Sequence, residues 1–333
     1  MKIAVIGAGA WGTGLAIVLG RKGTHAVRLW AYEYEVRQAI TQGRENLQFL
    51  RGCQIPETVS VTGSLEAALS SAEIVVSVMP SQHCRKLFQQ MRPHVREEML
   101  FVSATKGLEE EGLLRMTQVI SAELSQFPAR VGALSGPTFA REVARGDPTA
   151  ITIASTDGGL AETVQREFSD PNFRVYTNDD VIGVELGGAL KNVIAIAAGV
   201  CDGLGLGHNS VAALITRGLA EITRLAVACG GDARTLAGLA GLGDLVLTCT
   251  GGLSRNRNVG MELGRGRKLP EIVAGLHGAV AEGMFTTTAA VGLARARSVE
   301  MPITEQMHAI LHQGKAPREA IRELMSRSAK SEI

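Results

Sequence analysis

The chain has 333 residues, of which 45% are hydrophobic, 20% are charged and 39 are glycine. This composition is typical of a tightly packed α/β protein and excludes a disordered chain, and the length predicts two domains at roughly 150 residues each. The formal net charge of +1 excludes the strongly basic surface of a general nucleic-acid or acidic-membrane binder. We therefore expect a small anionic ligand.

Cysteine and histidine spacing predicts neither a metal site nor a disulfide framework. The five cysteines form no C-x-x-C pair and are odd in number, so a reducing cytoplasm is the expected compartment. His308 and His312 stand at i and i+4 but have no third acidic or histidine ligand nearby in the sequence, and no metal is expected.

An uncharged stretch near the start of the chain imitates a signal peptide or a membrane span. Residues 3–20 carry no charge, but five of these eighteen residues are glycine. The spacing of these glycines fits a tight turn after a strand better than a membrane span, so we expect neither export nor stable membrane insertion.

A glycine-rich turn joins the first predicted strand to the first predicted helix. The strand is Lys2–Ile6, the turn reads G-A-G-A-W-G from Gly7 to Gly12, and a helical pattern follows over Leu15–Leu19. In this context the first glycine permits a tight turn, the second admits a pyrophosphate and the third lets helix and strand pack closely. We interpret the turn as a dinucleotide-binding loop.

The end of the second predicted strand bears on the choice between NAD and NADP. Ala26–Trp30 is that strand, and the adenosine ribose of a bound dinucleotide lies near its end. Glu33 would accept a hydrogen bond from the ribose hydroxyls of NAD and repel the extra phosphate of NADP, so the sequence leans slightly to NAD. Whether Arg28 or Arg37 reaches that phosphate is left open.

Six more strands alternate with helical stretches and predict a doubly wound parallel sheet. The strands are Val59–Thr62, Glu73–Val78, Leu100–Ala104, Val131–Ser135, Ala150–Ala154 and Phe173–Tyr176, and the helical stretches are Leu65–Ser70, Cys84–Met91 and Leu113–Leu124. Ligands of such sheets bind at the carboxyl ends of the strands, where Lys106 falls. The alternative for Lys106 is an ordinary solvated lysine.

Strand signals fade after Asp180, and helical periodicity continues to the end of the chain. The predicted fold is therefore α/β, with an N-terminal Rossmann-type doubly wound sheet at residues 1–184 and an all-α C-terminal domain at residues 185–333. Three helices with polar outer faces are expected within Thr286–Ser326.

The most apolar helical stretch contains a single charge. Leu186–Cys201 has helical hydrophobic spacing, and Lys191 is its only charged residue. A buried ammonium needs a partner or an altered protonation equilibrium, which marks Lys191 as a candidate functional group. The alternative is a lysine at the helix rim that extends its amine into water.

Two later segments add an acid and a cluster of phosphate-binding groups. Asp244 lies in the apolar segment Gly241–Thr250, and Ser254–Asn258 places two arginines and two asparagines before a predicted helix. Arginine binds phosphate bidentately and a helix N-terminus adds main-chain donors, so this cluster is a candidate phosphate site. A solvated basic turn is the alternative.

These motifs together resemble the bacterial NAD(P)-dependent glycerol-3-phosphate dehydrogenases over nearly the whole chain. The motifs that carry the resemblance are Gly7–Gly12, Thr105–Gly107, Ser135–Ala140, Leu190–Asn192, Gly241–Asp244 and Ser254–Arg257. The resemblance implies a cytoplasmic enzyme that uses NAD or NADP and makes sn-glycerol 3-phosphate from dihydroxyacetone phosphate for phospholipid synthesis. A homodimer is an open alternative to a single subunit.

The resemblance also implies roles for individual residues. Lys191 matches the proton donor and acceptor and a substrate ligand, and Lys106 and Arg255 match residues that meet both cofactor and substrate. The matched substrate positions are Gly136, Thr138, Asp244, Ser254 and Asn256, and the cofactor positions are Gly7, Gly9, Ala10, Trp11, Gly12, Tyr32, Ala140, Val280 and Glu282. Tyr32 departs from the family, where histidine or arginine often faces the phosphate of NADP.

Two other functions remain open at the level of sequence. A dehydrogenase of the same architecture acting on a hydroxy acid or sugar acid would keep the glycine turn and the lysine, although the Ser254–Asn258 cluster favours a phosphate. A regulator that senses NAD(P) without catalysis would need the glycine turn but not Lys106, Lys191 and Asp244 together.

Overall fold

The computed structural model describes residues 1–276, 278–329 and 331. The strands are β1 (Lys2–Ile6), β2 (Ala26–Trp30), β3 (Glu45–Asn46), β4 (Leu50–Gln54), β5 (Val59–Thr62), β6 (Ile74–Ser77), β7 (Leu100–Ser103), β8 (Arg130–Ser135), β9 (Thr149–Ala154) and β10 (Phe173–Asn178). The α-helices are α1 (Ala10–Arg21), α2 (Tyr34–Gly43), α3 (Leu65–Leu69), α4 (Cys84–Met91), α5 (Met116–Glu123), α6 (Ala140–Arg145), α7 (Gly158–Phe168), α8 (Val181–Gly203), α9 (His208–Ala228), α10 (Ala233–Leu236), α11 (Asp244–Thr250), α12 (Arg255–Gly264), α13 (Leu269–Ala274), α14 (Gly283–Ala296), α15 (Pro302–Gln313) and α16 (Pro317–Met325).

Eight strands form one sheet in the order β10-β9-β8-β7-β6-β1-β2-β5, and β3 and β4 form a separate hairpin. Six neighbouring strands of this sheet, β8, β7, β6, β1, β2 and β5, are parallel, as predicted. Their buried side chains form the core beneath the flanking helices. The predicted doubly wound parallel sheet is confirmed, with one exception at the edge where β9 runs antiparallel to β8. The chain turns back at the carboxyl end of β8 through the short helix α6, which does not cross the sheet.

The local pattern also missed or misplaced some elements. Helix α2 and the β3–β4 hairpin were not predicted, and the helix expected from Leu113 begins at Met116. Leu113 has a φ of 52° and therefore cannot continue a right-handed helix. The three helices expected within Thr286–Ser326 are confirmed as α14, α15 and α16, and no strand occurs after Asn178 in the described residues.

Helix α8 is the central element of the C-terminal half. The Asp180 side chain accepts a hydrogen bond from the Gly183 main-chain nitrogen (2.8 Å) and so caps its N-terminus. The helix is long and apolar enough to cross a membrane, but 89% of its most apolar window is buried inside the fold, as for a core helix. The predicted domain boundary between residues 184 and 185 falls within α8 and stays a prediction.

Glycines allow α12 to lie directly against α8. A Cβ atom on Gly199 would collide with the main-chain carbonyl oxygen of Arg257, and one on Gly260 would collide with that of Ile196. Backbone therefore touches backbone at this crossing, which fixes the first two turns of α12 beside the C-terminal half of α8.

This crossing can be tested with Gly199→Ala. The added methyl group has only backbone to displace, so the free energy of unfolding should fall by about 3 kcal/mol or more. Gly158→Ala is the matched control, because the same methyl group at the start of α7 would meet nothing within 4 Å. Urea unfolding followed by circular dichroism measures both variants, and equal stability of the two would contradict the close crossing.

Candidate active site

The predicted site residues gather at the carboxyl edge of the parallel strands. The glycine-rich turn follows β1, Lys106 follows β7 and Gly136 follows β8. Helices α8, α11 and α12 bring Lys191, Asp244 and Arg255 to the same edge through the contacts described below. The carboxyl ends of parallel strands are where ligands of such sheets bind.

The glycine-rich turn has the shape that a dinucleotide requires. Gly7 has a φ of 121°, and a Cβ there would lie 2.7 Å from the Val78 carbonyl oxygen. A Cβ on Gly12 would collide with the Gly7 carbonyl oxygen, whereas one on Gly9 would meet nothing within 4 Å. Gly9 therefore exposes open backbone at the start of α1, which fits a pyrophosphate.

The next residues of the turn border the same space. Ala10 and Trp11 are half-buried in the first turn of α1. The buried indole nitrogen of Trp11 has no hydrogen-bond partner in the described part of the chain. An unpaired buried donor is costly in a folded protein, so this one is consistent with a site that a ligand completes.

Tyr32 and Glu33 come shortly after β2, the strand that pairs with β1. Tyr32 is 78% exposed, and its ring centroid lies 6.2 Å from that of Trp30. Glu33 is half-buried and precedes α2. Both side chains therefore lie where the ribose and adenine of a dinucleotide would be expected.

Asp244 joins two lysines at the centre of the site. Its Oδ1 accepts a hydrogen bond from Lys191 Nζ at 2.5 Å, and its Oδ2 accepts one from Lys106 Nζ at 2.8 Å. Asp244 is fully buried and Lys191 is 6% exposed. The rim alternative for Lys191 and the solvated alternative for Lys106 are therefore both wrong.

The two lysines differ in the number of donors that remain. Each ammonium has three N–H donors. Lys106 Nζ also donates to the Gly136 carbonyl oxygen (2.7 Å) and to Thr138 Oγ1 (3.1 Å), so its three donors are used. Lys191 Nζ donates to Asp244 and to Thr248 Oγ1 (2.8 Å), which leaves one donor unused among the described residues.

The charges of this group leave it cationic. Two lysines and one aspartate carry a net single positive charge when all are ionised. The pKa of Lys106 is lowered to about 8: burial is the main cause and the nearby Lys191 ammonium acts in the same direction, while Asp244 opposes the shift. A negatively charged substrate would relieve the repulsion between the two ammonium groups.

A chain of amide hydrogen bonds connects the sheet to three helices beside the lysines. Asn192 Nδ2 donates to the Lys106 carbonyl oxygen (3.1 Å), Asn256 Nδ2 donates to Asn192 Oδ1 (2.9 Å), and Asn256 Oδ1 accepts from the Gly283 nitrogen (2.9 Å). Asn256 is 8% exposed and still has one amide hydrogen available. The amide chain therefore holds α8, α12 and α14 in register.

The arginine cluster begins α12 instead of preceding it. Only Ser254 lies before the helix, and its Oγ accepts a hydrogen bond from the Arg257 nitrogen (3.2 Å). The Arg255 side chain is exposed and has no hydrogen bond or ion pair to any described residue. Desolvation within the cleft lowers the pKa of Arg255, which Glu282 opposes, but a guanidinium stays charged at neutral pH.

The remaining predicted residues border the cleft. Glu282 accepts hydrogen bonds from the Ser81 nitrogen (3.1 Å) and hydroxyl (2.7 Å), and burial raises the pKa of its carboxyl. Val280 is half-buried two residues earlier. Ala140 begins α6 against α1, where a Cβ on Gly14 would lie 3.2 Å from the Ala140 carbonyl oxygen.

Sequence reasoning did not single out Thr248 or Ser81. Thr248 lies four residues after Asp244 on α11, and this spacing alone places the two on one helix face. Ser81 had no such signal, because its contact with Glu282 joins residues 201 positions apart.

The open glycine turn and the paired lysines define the class of the protein as an NAD(P)-dependent oxidoreductase. Sequence models described as the N-terminus and the C-terminus of NAD-dependent glycerol-3-phosphate dehydrogenase match residues 2–161 and 180–322. The chain belongs to the NAD-dependent glycerol-3-phosphate dehydrogenase family.

Individual relatives agree with this assignment over their whole length. The glycerol-3-phosphate dehydrogenase [NAD(P)+] of Koribacter versatilis is 70% identical, with 100% of this chain and 99% of the relative covered. The structure is similar to glycerol-3-phosphate dehydrogenase from Coxiella burnetii, with a TM-score of 0.94, 42% identity and coverage of 98% of this chain and 99% of the other. The enzyme from Saccharomyces cerevisiae has a TM-score of 0.82 and 27% identity, with coverage of 98% and 99%.

Asp244→Asn tests the buried charge group. Without the carboxylate, the lysines lose their neutralising partner, and the free energy of unfolding at neutral pH should fall by about 3–5 kcal/mol. The loss should shrink as pH rises towards and past about 8, because Lys106 of the variant lacks the carboxylate that raises its pKa, and the folded variant then binds fewer protons than the folded wild type.

Urea unfolding at neutral and alkaline pH measures this effect. Asp232→Asn is the matched control, since Asp232 pairs with Arg234 at the surface and the same change should cost far less. If the two variants lost equal stability, Asp244 would not be the partner that the buried lysines need.

Proposed function

We propose that the chain is an NAD(P)-dependent glycerol-3-phosphate dehydrogenase that interconverts dihydroxyacetone phosphate and sn-glycerol 3-phosphate. The unused donor on Lys191, beside a cationic cleft and an open glycine turn, is the observation that carries this proposal. A cytoplasmic location and a supply of product for phospholipid synthesis are part of the proposal. A homodimer remains an open prediction.

The reduction needs a hydride for the carbonyl carbon and a proton for the carbonyl oxygen. When bound, the nicotinamide supplies the hydride. Lys191 donates its remaining N–H to the carbonyl oxygen. As the π electrons of the C=O bond move to that oxygen, the oxygen takes the proton and becomes the hydroxyl of the alcohol. Asp244 and Thr248 hold the Lys191 ammonium at two points, so its third hydrogen has a fixed direction.

The substrate phosphate belongs at the start of α12 in this proposal. Arg255 offers an unpaired guanidinium, Asn256 has one amide hydrogen left, and the helix N-terminus favours an anion. Lys106 has no donor left, so a contact with the substrate would replace one of its present acceptors. We therefore assign proton transfer to Lys191 and charge balance to Lys106.

The two rival functions are less well supported. Lys106, Lys191 and Asp244 form one buried group, which a sensor without catalysis would not need. Arginine binds carboxylates as well as phosphates, so Arg255 alone does not separate a hydroxy-acid or sugar-acid dehydrogenase from the proposed enzyme. The match to the glycerol-3-phosphate dehydrogenase family over residues 2–161 and 180–322 favours the phosphorylated substrate. Glu33 still favours NAD over NADP, and this preference stays a prediction.

Lys191→Met tests the proton donor. The methionine fills a similar volume but cannot give a proton, so kcat for dihydroxyacetone phosphate should fall at least about 100-fold. Binding of the dinucleotide should change little, because the Lys191 side chain bonds Asp244 and Thr248 and makes no hydrogen bond to the glycine turn in the described residues. Steady-state oxidation of NADH and calorimetric binding measure the two effects, with exposed Lys86→Met as control. A nearly normal kcat would remove Lys191 from the mechanism.

Arg255→Ala tests phosphate recognition. The KM for dihydroxyacetone phosphate should rise at least about tenfold, since a guanidinium–phosphate contact is lost. The catalytic efficiency with unphosphorylated dihydroxyacetone should hardly change. Arg265→Ala is the matched control at the other end of the same helix, where Arg265 pairs with Glu262. Equal losses with both substrates would show that Arg255 does not bind the phosphate.

A further inference from the structure

An arginine of α2 reaches back to the main chain that follows β2. Arg37 Nη1 donates to the main-chain carbonyl oxygens of Ala31 (2.8 Å) and Tyr32 (2.7 Å), directly after the strand. β2 pairs with β1, and the Gly7 nitrogen donates to the Trp30 carbonyl oxygen (3.1 Å). The Arg37 guanidinium therefore lies beside the end of the dinucleotide turn, where the adenosine ribose binds in folds of this kind.

The guanidinium has donors left for an anion. A guanidinium carries five N–H donors, and the two on Nη1 account for both carbonyl contacts. The donors on Nε and Nη2 have no hydrogen-bond partner among the described residues. Arg37 is half-buried, so these donors are partly shielded from water and still accessible.

Arg37 does not pair with the acid one helical turn before it. Glu33 and Arg37 stand at i and i+4, a spacing that often gives an ion pair. The described structure contains no ion pair between them, because the guanidinium is turned to the carbonyl oxygens after β2. An anion-binding group and a group suited to ribose hydroxyls are thus both present at one position.

The surroundings of Arg37 hold it in place. The guanidinium lies over the Tyr34 ring, with its Cζ 5.6 Å from the ring centroid. A Cβ on Gly63 would lie 2.8 Å from Arg37 Cζ, so only glycine leaves room for the guanidinium here. Less conformational freedom is then lost when the side chain binds a ligand.

Arg28, the other arginine considered from the sequence, is used elsewhere. Its Nη1 donates to the Ala67 carbonyl oxygen (2.6 Å) and to Ser70 Oγ (2.7 Å) at the end of α3. It therefore provides a matched control of the same residue type near the same strand.

We infer that Arg37 receives the 2′-phosphate of NADP(H), while Glu33 favours the free ribose hydroxyls of NAD(H), so that this chain binds both dinucleotides. The inference rests on the proposed function, since it concerns the dinucleotide of that reaction. It assigns cofactor choice to a residue in the first turns of α2 and not to Tyr32, the family position at which this chain lacks a cation.

Equilibrium binding tests the inference without turnover. The Kd values of NADPH and NADH are measured by calorimetry for the wild type, Arg37→Met and Arg28→Met. Arg37→Met should raise the Kd of NADPH at least about tenfold, as expected for loss of charge-assisted hydrogen bonds, and change that of NADH less than about twofold. Arg28→Met should change neither. Equal weakening of both dinucleotides, or no change for NADPH, would overturn the inference.

Gly63→Ala provides a second and milder variant. Its methyl group meets only the end of the flexible Arg37 side chain, so the fold should tolerate it while the guanidinium moves. Binding of NADPH should weaken and binding of NADH should not; unchanged NADPH binding would count against the inference. Turnover separates the two proposals: a wild type that binds both dinucleotides but does not reduce dihydroxyacetone phosphate contradicts the proposed function and leaves the role of Arg37 intact.

Discussion

The site depends on one carboxylate buried between two ammonium groups. Lys106 comes from the loop after β7 and Lys191 from α8, and Asp244 is the carboxylate that forms an ion pair with both of them. Asp244 can neutralise only one of the two positive charges. The excess charge that remains is what makes the cleft complementary to a phosphorylated substrate, so a single pairing determines both the stability of the site and its preference for anions.

Backbone contact between α8 and α12 sets the distance between Lys191 and Arg255. Glycines at the crossing remove the side chains that would separate the helices. Asn192 then reaches Asn256, and Asn256 reaches the start of α14. The amide hydrogen bonds fix the rotation of each helix about its axis, which helix packing alone leaves less well determined. Arg255 is thereby presented to the cleft by a rigid element, although its own side chain is free.

The parts of the fold and site that could be predicted are those with a local signal. The parallel strands, the glycine turn and the lone lysine of α8 each stand out within a few residues. The reversal of β9 could not be predicted, because it follows from the path of the chain after β8. Two sets of contacts could not be predicted because they join segments that are far apart in the sequence. They are the hydrogen bonds of Ser81 to Glu282 and the amide hydrogen bonds that run from Asn192 through Asn256 to Gly283.

Charged residues of one type differ here in how many of their donors are already paired and in which part of the fold those donors reach. Lys106 donates its three ammonium hydrogens to Gly136, Thr138 and Asp244, whereas Lys191 has one ammonium hydrogen without a partner in the described residues. Arg28 and Arg37 each use two donors on Nη1, but Arg28 binds α3 and the residue after it, whereas Arg37 binds the carbonyl oxygens that follow β2. The sequence identifies where the charges are, but chemistry requires a donor that the fold has left unused. The role of a charged residue in this cleft therefore depends on which of its hydrogen-bond donors remain unpaired and where they lie.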